Sequence, residues 1–464
     1  MSVCKILNSL LLAVLFLFAV GESKAQEVKT YLTMQDAIYR ALNKNHEIKA
    51  SEFGQKKASW DIKQAWAQLF PVISFNSRYN RIDEQTFAER DFRRYLPPEL
   101  ANQMPQTVFQ DSYSSSIDLD MPLFNGVLLN GLMIANEGEA AAESMNNSTK
   151  RNIIFQVISG YLNVLKSKEV LSLQKEYLEL SKLNYEKAER LFKADRYSKT
   201  ESLRWKVEYQ QQKSVVVNSE NVLRAGITNL NKLLDLNMNS KIEVSSEIPK
   251  WLKDEKKLIE ALNDDDLLEM ININDDALVE TNAMLKAAKS NDEINRLLYK
   301  NSYSSYMPNV SLSYSYGWRE NNTLELDDYS PKTLSINLRM PIFTSFQNYT
   351  ALKSNYYTYK KGQEEFISQL QETRFLLTST VNNIINLKTQ ISLSRASVQF
   401  SEANYRTVES QKEKGLISNI DFIDAKLNMQ NSKLQAINNN YDFISGMIEL
   451  YYLLGKKLDE LSDK

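Results

Sequence analysis

The chain has 464 residues, 43% of them hydrophobic and 25% charged, with a formal net charge of −2. That composition is poor for a helical membrane protein, and the near balance of charge gives no reason to expect a nucleic-acid partner. One histidine, His46, and one cysteine, Cys4, supply neither a Cys/His metal set nor a His-based triad, so no enzyme activity, metal or cofactor is expected.

Lys5, the apolar run 6–20 and Ser23-Lys24-Ala25 read as a secretory signal peptide over 1–25. The run is too short for a spanning helix. Cys4 precedes it, so no lipid anchor is expected. Removing Lys5, Glu22 and Lys24 takes away a net +1, which leaves the mature chain at −3 and without cysteine.

Prolines partition the mature chain. They stand at 71, 97, 98, 105, 122, 249, 308, 331 and 341, which leaves 123–248 and 342–464 free of them. Proline breaks helices, so these spans permit very long ones. Residues 33–69 read as helical with a break near 43–45, and Pro71 ends them. A strand is expected over about 72–81, where Ile73, Phe75 and Tyr79 alternate with Ser74, Asn76, Arg78 and Asn80. Residues 82–111 read as an exposed loop. A second strand, about 112–121, sets Tyr113, Ile117, Leu119 and Met121 against Ser114, Ser116, Asp118 and Asp120, and Pro122 is expected to close it. A helix of some 100 Å then runs from about 127 to 193, with a stripe through Phe155, Ile158, Leu162, Leu165, Leu173, Tyr177, Leu180, Leu183 and Leu191. A return helix is expected over 202–234.

Residues 236–266 read as a linker with a short strand at 241–244, and the plan then restarts. A helical stretch from about 275 to 303 leads to Pro308, and Asn282 falls where Asn45 does when Pro308 is laid on Pro71. Strands are expected over about 310–319 and 332–340 around a loop at 320–331. Met340-Pro341-Ile342-Phe343 mirrors Met121-Pro122-Leu123-Phe124. A second long helix is expected over 346–414, a return helix over 422–454, and a polar tail over 456–464. The division is therefore 26–235, 236–266 and 267–455, two copies of one unit joined by a linker.

Each copy turns at a tip. At the second, Gly415 suits a left-handed helix stop and Ser418 can cap the next helix, with Asp421 three residues on. Asp421 and Asp424 share a face. At the first, Ser198 and Glu201 repeat the cap and Asp195 replaces the glycine. Residues 184–213 lie on 404–433 without a gap, seven of 30 positions being identical.

Four strands of nine or ten residues with an apolar and a polar face suit tilted strands crossing an outer membrane. Four cannot close a barrel, and open edges cannot sit in lipid, so several copies must combine. The long helices would continue as the staves of a second tube.

These features together resemble the TolC family of outer-membrane efflux proteins: the repeated plan, the strand pairs bracketed by Pro71, Pro122, Pro308 and Pro341, and the tip Gly415-Leu416-Ile417-Ser418 followed by Asp421 and Asp424. The resemblance covers about 30–455. It implies an α+β membrane protein: a homotrimer with a twelve-stranded outer-membrane barrel, four strands per protomer, continued by a periplasmic α-helical tunnel. It implies a passive exit duct for efflux or type I secretion in a Gram-negative type of bacterium. Its partners would be outer-membrane lipid, a periplasmic adaptor and an inner-membrane pump of the RND or ABC type. Arg196, Tyr197, Ser198, Gly415, Leu416, Ile417 and Ser418 would meet the adaptor. Asp421 and Asp424 would ring the entrance, six carboxylates in three copies, and favour cations; Glu201 matches an acidic gate position. Ile417 and Lys412 stand where some members have a basic residue and a tyrosine, and Asp195 where glycine is usual, so the family's latch bonds do not carry over. Helix capping is the alternative role for Glu201 and Asp421. A free-standing diffusion porin is the alternative function, but it would need no docking tips.

Overall fold

The structure, a computed structural model, describes residues 30–245, 247–321, 332–456 and 458. The expected signal peptide, most of the loop at 320–331 and nearly all of the polar tail lie outside the described residues. In chain order the main elements begin with β1 (Thr30–Leu32), α1 (Met34–Lys44), α2 (His46–Ala67), β2 (Val72–Arg81) and β3 (Asp111–Phe124). Then come α3 (Gly126–Lys193), α4 (Lys199–Leu233), β4 (Ile242–Val244), α5 (Lys250–Ala261), α6 (Asp264–Glu269), α7 (Asp275–Thr281) and α8 (Ala283–Ser304). The chain continues with β5 (Asn309–Asn321), β6 (Lys332–Arg339), α9 (Gln347–Glu413) and α10 (Asn419–Leu453).

The proline-free spans become α3 and α9, of 68 and 67 residues. At 1.5 Å per residue each is about 100 Å long. Their apolar residues make two separate cores. The larger lies midway along, where Ile153, Val157, Ile158, Tyr161 and Leu162 of α3 meet Val381 and Ile384 of α9 and Phe443, Ile444, Met447 and Ile448 of α10. α1, α5, α6 and α7 close over it with Ile38, Leu252, Leu267 and Leu278. The smaller core sits at the tips. The stripe read along α3 is not uniformly buried: Ile158, Leu162, Leu165 and Tyr177 are, but Leu183 is exposed.

Two asparagines anchor the midsection. Asn45 accepts the N–H groups of Glu47 and Ile48 at the start of α2 and donates to the Leu233 carbonyl at the end of α4. Asn282 does the same for Met284 and Leu285 at the start of α8 and for Leu453 at the end of α10. One side chain thus caps a helix and ties down the last turn of another.

The stops of the four longest helices, α3, α4, α9 and α10, have one geometry. Asp195, Asp235, Gly415 and Gly455 all have positive φ, between 52° and 72°. In each stop the next residue's N–H reaches back five positions: Arg196 to Leu191, Leu236 to Asn231, Leu416 to Gln411 and Lys456 to Tyr451. This is the bonding of a left-handed helix stop, which glycine adopts without strain and aspartate at a cost.

β2, β3, β5 and β6 form one antiparallel sheet in the order β2-β3-β5-β6, so β2 and β6 are its open edges. One face carries Ile73, Phe75, Ile117, Leu119, Leu312, Tyr314, Leu334, Ile336 and Leu338, which neighbour one another across the strands. Ile73, Ile336 and Leu338 are each about 70% exposed. The opposite face is polar and internally bonded. Asp118 accepts from Asn76, Ser116 and Ser315, and Asp120 accepts from Ser313.

Several expectations need correction. Pro122 does not close the second strand: β3 runs on to Phe124 through a register shift between Pro122 and Phe124, where the missing proline N–H is not needed. The strand at 310–319 likewise extends to Asn309–Asn321. Residues 82–111 are not plain loop but hold helices at Glu84–Arg90 and Pro98–Ala101, begun by the Asp83 cap and by Pro98 at a first helical position. The linker at 236–266 is mostly structured. β4 pairs in parallel with β1, α5 runs from Lys250 to Ala261 between Pro249 and Leu262, and the acidic run at 264–266 is the first turn of α6, where carboxylates suit the helix dipole. The return helices begin earlier than expected, at Lys199 and Asn419 rather than 202 and 422, because Ser198 and Ser418 cap them directly.

At Gly455 an added Cβ would collide with the Thr281 carbonyl, whose oxygen Arg151 also binds together with that of Gly455. Gly455→Ala should therefore lower stability by about 2 kcal/mol or more, from left-handed strain plus the collision. Gly415→Ala has open space around its Cβ and should cost only the strain of about 1–2 kcal/mol. Thermal unfolding by circular dichroism checks the order.

Candidate functional site

Both hairpin tips close on one small core. Tyr177 and Ala188 of α3, Trp205 of α4, Tyr405 of α9 and Phe422 and Met429 of α10 are buried together. Trp205 is 6.1 Å from Phe422 between ring centroids, and Tyr405 is 5.5 Å from Phe422. Tyr197 and Ile417, two of the tip residues expected to face a partner, instead turn inward and pack against this core. Ser198 and Ser418 are occupied as helix caps. Arg196, Gly415 and Leu416 are exposed, Leu416 at 70%. The outward tip surface is thus narrower than the seven residues read from the sequence.

The acidic residues separate by role. Glu201 completes a capping box with Ser198 and also accepts a 2.7 Å bond from the Asn419 amide, which ties the two tips together. Asp421 accepts from the Ser418 hydroxyl at 2.8 Å while its own N–H donates back. Asp424 is exposed and makes no hydrogen bond or ion pair among the described residues. It borders a groove of about 590 Å³ between α4 and α10, with Leu203, Arg204, Val207, Ile420 and Leu427 along it.

Behind the tips, sequence reading missed a set of buried polar contacts. Lys426 is 1% exposed; its ammonium meets Glu208 and donates to the Ser181 hydroxyl at 2.8 Å. About a turn further from the tips, the side-chain amides of Gln212 and Gln430 both donate to the Gln174 side-chain oxygen, at 2.7 and 2.8 Å. The signal available was Lys426 four residues after Phe422, a charge on the apolar side of a helix. One charge there is too common to be decisive.

Lys412 lies half-buried with its ammonium 4.2 Å from the Trp205 ring centroid and 4.0 Å from that of Phe422. The rings attract the cation, but burial acts against it and is the larger effect. Burial first, and the Lys187 charge next, push Lys412 down to about 8, against opposing pulls from Glu208 and Glu201.

Residues 37–230 and 273–456 match the family described as outer membrane efflux protein. The chain belongs to that family. It is 19% identical over 353 residues to outer membrane protein TolC of Salmonella enteritidis, covering 74% of this chain and 69% of that one. Its fold is similar to the CmeC outer membrane channel of Campylobacter jejuni, with a TM-score of 0.78 and 14% identity over 91% of this chain and 85% of that one. It is also similar to outer membrane protein VceC of Vibrio cholerae, with a TM-score of 0.76 and 15% identity over 91% and 96%.

Glu208→Gln should leave the buried Lys426 charge without its counter-ion and cost about 3–5 kcal/mol. Adding Lys426→Met should recover most of that loss in denaturant unfolding. Lys412 sets a pH dependence of known sign. From about pH 8, and below the ordinary value of 10.5, the unfolded chain holds a proton that the folded tip has shed, so tip stability should rise with pH up to about pH 9.5, above which the buried Tyr177 and Tyr405 hydroxyls, pushed up by burial, act in the opposite direction. Lys412→Met should abolish the slope, read from the fluorescence of a variant that keeps Trp205 alone.

Proposed function

We infer that the chain is the outer-membrane exit duct of a tripartite efflux or type I secretion system, passive and opened by docking. The observation that carries this reading is the sheet. It has an exposed apolar face, a bonded polar face and two open edges, and it sits at one end of helices about 100 Å long. The apolar face fits lipid and the polar face a water-filled lumen. An unpaired backbone edge in hydrocarbon costs several kcal/mol per group, so the sheet must close on further copies. Three copies of two structural repeats give a twelve-stranded homotrimeric barrel, with α3, α4, α9 and α10 as the staves of the periplasmic tunnel. Aromatic and aliphatic side chains at the strand-to-helix junctions, Phe70, Phe343 and Phe346 among them, are exposed and suit the membrane interface.

At the far end, the exposed Arg196, Gly415 and Leu416 form the docking tips for a periplasmic adaptor. Asp424, unbonded and beside the α4–α10 groove, is the first candidate for a cation-selective entrance ring. Asp421 and Glu201 support it while they cap their helices.

Asp424→Ala should weaken block by divalent cations in planar bilayers more than Asp421→Ala does, and the double variant should weaken it most. Equal block in all three would remove the entrance role. Cys4→Ser with Leu416→Cys, carrying a photo-crosslinker in the periplasm, should capture an adaptor protein with a partner pump. Capture of nothing by a protein that still conducts would favour the free-standing porin.

A further inference from the structure

The two strand hairpins obey one register. A shift of 237 residues carries Val72 onto Asn309, and one of 219 carries Asp120 onto Arg339; Val72 pairs with Asp120, and Asn309 with Arg339. The same shifts carry Tyr79 onto Tyr316 and Tyr113 onto Lys332, again a paired set at both places. They also carry Met121-Pro122-Leu123-Phe124 onto Met340-Pro341-Ile342-Phe343 and Pro71 onto Pro308. So β3 corresponds to β6 and β5 to β2, strand by strand and residue by residue.

One seam of the sheet has no counterpart within the chain. β3 pairs with β5, but the corresponding edges, β6 and β2, are both open. We propose that β6 pairs with β2 of a second copy in the register that the β3–β5 seam prescribes. This inference rests on the trimeric reading above and adds the alignment of the join between copies.

Translated by the two shifts, Met121 opposite Leu312 becomes Met340 opposite Phe75 of the second copy. Ile117 opposite Tyr316 becomes Ile336 opposite Tyr79 of the second copy, and Asp118 opposite Ser315 becomes Asn337 opposite Arg78 of the second copy. The faces provide an independent check. A one-residue error would put apolar side chains on the lumen side. The translated register instead sets Ile336 and Met340 beside Tyr79 and Phe75 on the apolar face, and Asn337 beside Arg78 on the polar one. Past Arg339 the β3–β5 seam also has its shift at Pro122–Phe124, with Phe124 opposite Val310. Its image sets Phe343 opposite Ile73 of the second copy. In the single chain Ile342 is 95% and Phe343 74% exposed, and Phe70, Val72 and Ile73 at the other edge are exposed as well. The inferred seam brings these two edges side by side.

Disulfide geometry can read this register. Directly opposed antiparallel residues have Cα atoms about 4.5–5.5 Å apart, inside the bonding range, while a slip of two residues puts them at about 7–8 Å or more, outside it. In full-length protein carrying Cys4→Ser, Asn337→Cys would be combined in turn with Asn76→Cys, Arg78→Cys or Asn80→Cys. After mild oxidation in the membrane, dimer and trimer bands would be measured on non-reducing gels, and native mass read for the unmodified protein. The Asn337–Arg78 combination should give at least about tenfold more crosslinked product than either neighbour. Stronger crosslinking at Asn76 or Asn80, or none at any pair in a protein whose native mass is trimeric, would overturn the register alone. A monomeric native mass would overturn the assembly on which it stands.

Discussion

A backbone amide at the edge of a sheet has to bond to something. In water the solvent serves; in hydrocarbon nothing does, and the cost is several kcal/mol for each unpaired group. The sheet β2-β3-β5-β6 meets this constraint with only four strands and an apolar face turned outward. On the reading proposed above, the rest of the architecture accommodates it. One strand face would meet lipid and the other water. The repeated plan would let equivalent edges meet equivalent edges around an axis. The long helices would carry the tips about 100 Å away from the sheet.

The helices hold together differently at different heights. Midway, a large apolar core with the Asn45 and Asn282 ties makes a rigid girdle. At the tips the core is small and bordered by polar pairs: Glu201 with Asn419, Glu208 with Lys426, and the three glutamines. Apolar packing loses its free energy when it separates, whereas polar pairs can exchange partners with water at modest net cost. On the reading proposed above, the girdle would stay and the tips would open. Lys412 adds to the contrast, since its charge in the tip core opposes burial even as two rings attract it.

Much of this was legible in the sequence because the signals were periodic. The two-residue alternation through Ile73, Phe75 and Tyr79 located β2 to the residue, and the proline-free spans located α3 and α9. Local signals misled where tertiary context decided. Pro122 reads as a strand end, yet a bulge accommodates it. Residues 236–266 read as linker because Pro249 and the acidic run at 264–266 punctuate them and α5 and α6 are short; they are ordered by lying on the midsection core. At the tips, turn chemistry identified Gly415 and its counterpart Asp195. It could not tell that Tyr197 and Ile417 point inward, since both follow the helix stop in loops whose direction only packing sets. Lys426 and Glu208 were illegible for a similar reason, because each looks like an ordinary helix-surface charge until the facing helix is known.

The sheet also implies an order of events in time. The tip hairpin joins residues close in sequence: Ser181 bonds Glu208 across 27 positions. The central strand seam joins Ser315 to Asp118 across 197. Contacts between near neighbours form first, and those between distant segments wait for long loops to close. A newly delivered chain would therefore have its rods before its sheet. During that interval its edges and apolar strand faces are the surfaces most prone to pairing wrongly. If the last bonds need other chains, as proposed above, the interval lengthens as the chain is diluted. A holdase that masks strands of this composition would be of most use when the protein is scarce.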